Sequence, residues 1–78
     1  MDIKYTTYAE STLLDRKISK ETIKGAILNP DEIVEGKNNR KIAHKIIENK
    51  LLRVIYEQDE KAYIVVTAYY TDPRRYIK

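Results

Sequence analysis

Seventy-eight residues with no cysteine, one histidine and a net charge of +3 describe one domain, near the lower size limit for a core without covalent or metal staples. The lack of cysteine excludes disulfides and thiolate metal sites, and a lone histidine argues against structural zinc. No apolar run approaches the roughly 20 residues of a membrane-spanning helix, and no basic-then-apolar leader opens the chain, so a soluble, cytoplasmic protein is expected.

In chain order, "IKYT" (residues 3 to 6) is a short β-prone run and predicts a strand. From Thr7 the spacing of Ala9, Leu13 and Leu14 becomes helical and predicts a helix to about Lys17. "ISKETIKGAILNP" then offers Ser19 as an N-cap, an apolar stripe of Ile23, Ala26 and Ile27, and Asn29-Pro30 as a stop. Two short adjacent helices make a helical hairpin. Beyond Pro30 the texture is β: "EIVEG" closes at Gly36, "GKNN" reads as a turn, and "RKIAHKIIE", "LLRVIYE" and "AYIVVTAYY" follow, separated by Asn49-Lys50 and "QDEK". Three or four antiparallel strands in a meander are expected. The fold class is α+β, β-α-α-β-β-β over residues 1–78, with both helices packed on one face of a twisted antiparallel sheet.

That architecture leaves the other face of the sheet to water. Leu52, Val54 and Tyr56 alternate with Leu51, Arg53 and Ile55, and a charge turned toward the helices would be buried at high cost unless paired, so Arg53 is expected on the open face. Its neighbours there depend on the hairpin. If Asn49-Lys50 is a two-residue turn, Glu48 pairs with Leu51 and His44 shares a face with Arg53; one residue longer, and Lys41 and Lys45 do so instead. Charge points the same way: residues 1 to 35 hold five Lys/Arg and seven Asp/Glu, residues 36 to 78 ten and five. A basic second half suits nucleic acid or an acidic protein as partner.

The succession "YTTYA", "DRKIS", "ILNPDEIVEG", "LLRVIYE" and "VVTAYYT" resembles a small family catalogued mainly as a domain of unknown function, within the RelE/ParE toxin superfamily. The resemblance covers nearly the whole chain. It implies a helical hairpin on a twisted sheet with an open basic face, and one of two activities: RelE-like members cleave messenger RNA, commonly in the ribosomal A site, whereas ParE-like members bind DNA gyrase. The RelE-like pattern places an arginine on the penultimate strand, matched by Arg53 in "LRVIY", and an arginine and a tyrosine after the last strand, where "TDPRRY" supplies Arg74, Arg75 and Tyr76. Basic residues on the preceding strand correspond to Arg40, Lys41 and Lys45, an RNA-binding set. Two positions depart from the pattern: Tyr8 stands where the family commonly has histidine, and Lys17 where glycine is usual.

Metal-free RNA cleavage lets the 2′-hydroxyl attack its neighbouring phosphate, and the enzyme supplies a base, an acid and cations for the phosphorane charge. Histidine is the side chain suited to proton exchange near neutral pH, which makes His44 the first choice. Arg53 with Arg74 or Arg75 suits bidentate phosphate contact, and Tyr76 can donate a proton or stack on a base. The resemblance further implies a cognate antitoxin covering the basic face and RNA, free or on the ribosome, as partners, with neither metal nor cofactor. Each residue also has a plainer reading. His44 between Ile42 and Ile46 fits a core histidine, Arg53 a salt bridge to Glu57 or a helix carboxylate, Arg74-Arg75 a solvated tail, and Tyr69 and Tyr70 packing or sheet-edge positions. In that case the open face docks a protein and cuts nothing.

Overall fold

A computed structural model describes residues 2–75. The elements run β1 (Asp2–Tyr5), α1 (Thr7–Arg16), α2 (Lys20–Leu28), β2 (Glu32–Glu35), β3 (Lys41–Ile47), β4 (Lys50–Gln58) and β5 (Ala62–Thr71), closed by a 3-10 turn at Pro73–Arg75. Both helices begin on hydroxyl caps: Thr6 Oγ1 accepts the Ala9 N–H at 3.0 Å and Ser19 Oγ accepts that of Thr22 at 3.1 Å. Lys17, in the left-handed region at φ 57°, ends α1, and the N–H groups of Lys17 and Ile18 return to the carbonyls of Leu14 and Leu13. Such a C-cap is the natural place for glycine, which explains why a glycine would be usual there. α2 stops at Asn29, immediately before Pro30, as the residue order predicts.

The α+β class stands, but the sheet is mixed and has five strands, one more than β-α-α-β-β-β, in the order β1-β5-β4-β3-β2. β1 lies parallel to β5 while every other pairing is antiparallel. "EIVE" pairs fully with β3 as a four-residue edge strand, and β1 takes the opposite edge because Ile3 and Tyr5 extend the apolar surface under the helices. The core lies between the layers. Ala9, Leu13, Ile18, Ile23, Ala26 and Ile27 meet Ala43, Leu52, Val54, Tyr56, Val65 and Ala68. Each fully buried Leu, Ile or Val contributes roughly 1.5 to 3 kcal/mol. Leu14, expected in the helical stripe, is 80% exposed; Thr12 takes the buried position beside Leu13.

Two features of the sheet position everything on its other face. The β3–β4 hairpin turns at Glu48-Asn49, one residue earlier than Asn49-Lys50, with Glu48 at φ 57° and Ile47 opposite Lys50. The pairing therefore shifts by two residues, which preserves the face and sets His44 directly across from Arg53. Between β4 and β5 the register slips by one: Ile55 faces Thr67 but Tyr56 faces Val65, leaving Val66 as the extra residue of a bulge. As a result Tyr63 and Val65 lie with the core, whereas Thr67 and Tyr69, of the same parity, lie with Arg53 on the far face. Among the described residues no helix is long and apolar enough to cross a membrane.

Candidate functional site

A polar chain crosses the face of the sheet opposite the helices, one residue from each of four adjacent strands. Glu32 of β2 pairs with His44 of β3, His44 with Arg53 of β4, and Arg53 with Tyr69 of β5. The side chains follow the backbone register. Glu32 Oε1 lies 3.2 Å from His44 Nδ1, Arg53 Nε donates to His44 Nε2 at 3.1 Å, and Arg53 Nη1 donates to the Tyr69 hydroxyl. A guanidinium carries no acceptor, so the Arg53 bond requires a bare Nε2. The ring proton therefore sits on Nδ1 and is donated to the Glu32 carboxylate. His44 is only 2% exposed, and both its nitrogens are occupied.

The Tyr69 ring has a second cation beside it. Arg53 Cζ lies 5.5 Å from the ring centroid and Arg16 Cζ, from the last turn of α1, 5.7 Å. Arg16 is held there by the sheet itself: β1 reaches no further along β5 than Val65, and past that point Arg16 Nη1 donates to the carbonyl of Ala68 at 2.8 Å. The site is thus built by four strands and the end of one helix.

The basic residues that the sequence put forward are placed elsewhere. Arg40 lies toward the same face but is engaged with Glu57, Nε to Oε2 3.1 Å, which takes the carboxylate considered for Arg53. Lys41 and Lys45 pair with Tyr56 and Leu52 across the hairpin and so belong to the helix-side face. Lys41 reaches Glu35 at 3.5 Å, and Lys45 donates to the Asn29 carbonyl at 2.8 Å. Arg74 and Arg75 follow β5 in the 3-10 turn, both exposed. Arg74 grips Asp72 in a fork, Nη2 to Oδ2 2.8 Å with Nε 3.2 Å from each oxygen. The Arg74 side chain, then its backbone N–H, holds the Asp72 carboxyl at about 2. Tyr76 lies outside the described residues. Tyr8, the residue that departs from the histidine of the pattern, is 64% exposed in the first turn of α1. Among the described residues no three His, Cys, Asp or Glu side chains are grouped to hold a metal ion.

Glu32, Tyr69 and Arg16 are the three residues that the sequence reading left out of the site; Glu32 lies on the edge strand that pairs with β3. Alternation alone assigns Tyr69 to the face of Val65, and only the bulge at Val66 moves it across. Arg16 sits in the acidic half of the chain, where charge counting gave no reason to look.

Residues 5–70 match the family described as a domain of unknown function, DUF4258. The chain belongs to that family. The DUF4258 match contains all five residues of the cluster, Arg16, Glu32, His44, Arg53 and Tyr69, and ends before Arg74, Arg75 and Tyr76. No curated protein and no solved structure matches this DUF4258 chain.

Proposed function

We propose that this DUF4258 chain is the toxin of a type II toxin-antitoxin pair and acts as a metal-independent endoribonuclease on messenger RNA. The observation that carries the reading is Arg53, set mid-strand on the face away from the helices and fixed by hydrogen bonds to both His44 and Tyr69. Arginine presents its donors as a planar fork suited to phosphate, and a fork held in place by neighbours is preorganised for the charge of a phosphorane. In the cleavage step the 2′-oxygen bonds to phosphorus as the 5′-oxygen leaves, giving a cyclic phosphate and a 5′-hydroxyl. The Tyr69 hydroxyl, against the guanidinium, exchanges a proton with one of those oxygens and water with the other, so that the proton leaving the 2′-hydroxyl is balanced by the one gained at the 5′-oxygen. His44, buried behind Arg53, acts as a positioning residue that keeps the fork oriented.

The depth of His44 favours a second reading. A 2%-exposed imidazole with both nitrogens engaged does not reach a substrate, and a face without an accessible imidazole suits a ParE-like or inert protein that docks a partner. Incubating the purified chain with messenger RNA, with and without ribosomes, separates the two. The nuclease reading requires cut products ending in cyclic phosphate and a loss on the order of 100-fold in a folded Arg53→Ala variant. Intact RNA under both conditions leaves the docking protein.

A further inference from the structure

We infer that a cleft at the hairpin end of the sheet holds one nucleotide of a single-stranded RNA, its base against the Tyr70 ring and its phosphate on Lys50. The inference deepens the RNA reading above and rests on it for the source of the nucleotide. The cleft measures about 610 Å³ and lies between Asn49 and Lys50 at the β3–β4 turn, Tyr70 and Thr71 at the end of β5, and the turn at Pro73 and Arg74. Its floor is the end of the sheet that the helices do not reach. Leu52 and Ala68 are fully buried, whereas the next residues along the same face, Lys50 and Tyr70, are exposed, Tyr70 by 38%. Tyr70 pairs with Leu52, so Lys50 is its diagonal neighbour, at the roughly 7 to 8 Å over which long and aromatic side chains still act together.

The groups in the cleft are unused. Among the described residues no hydrogen bond, ion pair or ring contact engages the side chains of Asn49, Lys50, Tyr70 or Thr71. Arg74 and Asp72, by contrast, neutralise one another across 2.8 Å, so Lys50 sets the charge of the cleft. A bare aromatic ring beside a free ammonium group suits a planar base joined to an anion: the base stacks and the phosphate meets the cation. The Asn49 amide and the Thr71 hydroxyl add donors and acceptors for the edge of that base. Paired RNA keeps its bases stacked on one another and offers no face to the ring, which restricts the cleft to single strands. Thr71 ties the cleft to the Arg53 face. It pairs with Leu51 and stands two residues beyond Tyr69 on the same side, about 7 Å along β5, so the cleft opens beside the site proposed for cleavage.

The test measures binding apart from cleavage. A 2′-O-methyl RNA oligomer of about ten nucleotides, within the range a small single-strand binder covers, lacks the attacking hydroxyl. Its affinity is followed by fluorescence anisotropy over a series of salt concentrations. Compared are wild type, Tyr70→Leu, Tyr70→Phe, Lys50→Gln and, as a charge-matched control at an exposed position of α2, Lys24→Gln. Tyr70→Leu should weaken binding on the order of tenfold through lost stacking, while Tyr70→Phe and Lys24→Gln stay within about twofold. Lys50→Gln should weaken it about threefold and flatten the salt dependence by roughly 0.7 in slope, the loss of one single-strand phosphate contact. A wild-type NMR titration stands beside the variants: the Tyr70 ring and Asn49 side-chain amide resonances should shift on adding the oligomer, and adenosine 5′-monophosphate added in its place tells a free nucleotide from a strand. A folded Tyr70→Leu protein that binds like wild type, cleft resonances that stay still while the complex forms, shifts with the monophosphate but none with the oligomer, or no binding by wild type at low salt overturns the inference. Tyr70-dependent binding with ordinary RNA left intact removes the nuclease reading and leaves the cleft; cut RNA with binding indifferent to Tyr70→Leu does the reverse.

Discussion

Replacing Arg53 by methionine is predicted to destabilise the fold by about 2 kcal/mol, and replacing His44 by leucine in the same chain to recover much of that loss. Methionine keeps the apolar stem of the side chain and deletes the donor. His44 Nε2, 3.1 Å from Arg53 Nε in a side chain 2% exposed, then loses that donor where bulk water does not reach. A buried acceptor in that state costs about 1 to 3 kcal/mol. His44→Leu alone strands the Arg53 donor, whose side chain is half-buried and so partly compensated by water, and releases Glu32, a 52%-exposed carboxylate whose pairing contributes little. Its cost is about 1 to 2 kcal/mol by the same reasoning. In the double variant neither unpaired group exists, so the two changes should be less than additive by about 1 to 2 kcal/mol. Urea denaturation followed by far-UV circular dichroism measures all four corners of the cycle, with thermal melting as a check at about 4 to 8 °C per kcal/mol for a domain of this size. Additivity within about 0.5 kcal/mol would refute the reasoning: Nε2 would not be accepting from Arg53, and the assignment of the ring proton to Nδ1 would fall with it.

Two further outcomes are expected. Lys17→Gly should stabilise the protein by about 0.5 to 1 kcal/mol, because the left-handed C-cap at φ 57° strains a residue with a Cβ by roughly 1 to 2 kcal/mol while glycine adds some unfolded-state entropy; urea midpoints read the difference. The Asp72 carboxyl should titrate at about 2 by carboxyl-carbon NMR and move up toward 3.8 in Arg74→Ala, though not all the way, since the backbone N–H of residue 74 still donates to it. With its folded value depressed, the stabilisation from this pair is fully present above 3.8 and is lost as pH falls through about 2, so the stability difference between wild type and Arg74→Ala should be constant above 3.8 and disappear as pH falls through about 2.

The helical hairpin was legible in the sequence because its signals are local. Ser19 and Asn29-Pro30 mark their own positions, and Ile23, Ala26 and Ile27 share a face at any helical geometry. The placement of Arg53 was equally legible, since the alternation of Leu52, Val54 and Tyr56 around it leaves one inexpensive choice of face for a charge. The partner of Arg53 was not legible. Whether His44 or the lysines joined it turned on one residue of hairpin length, and a residue-by-residue slip reverses a strand's faces at little local cost. The parallel pairing of β1 with β5 and the fifth strand were decided by which edge could extend the apolar surface beneath the helices, a property of the assembled layers. Tyr69 and Arg16 depended on tertiary structure altogether. One entered through a bulge that breaks the period of two, the other through a bond across 52 positions of sequence to Ala68. Sequence fixes a face through local periodicity and caps; the meeting of residues from five separate elements in one site follows only from registers set by the packed whole.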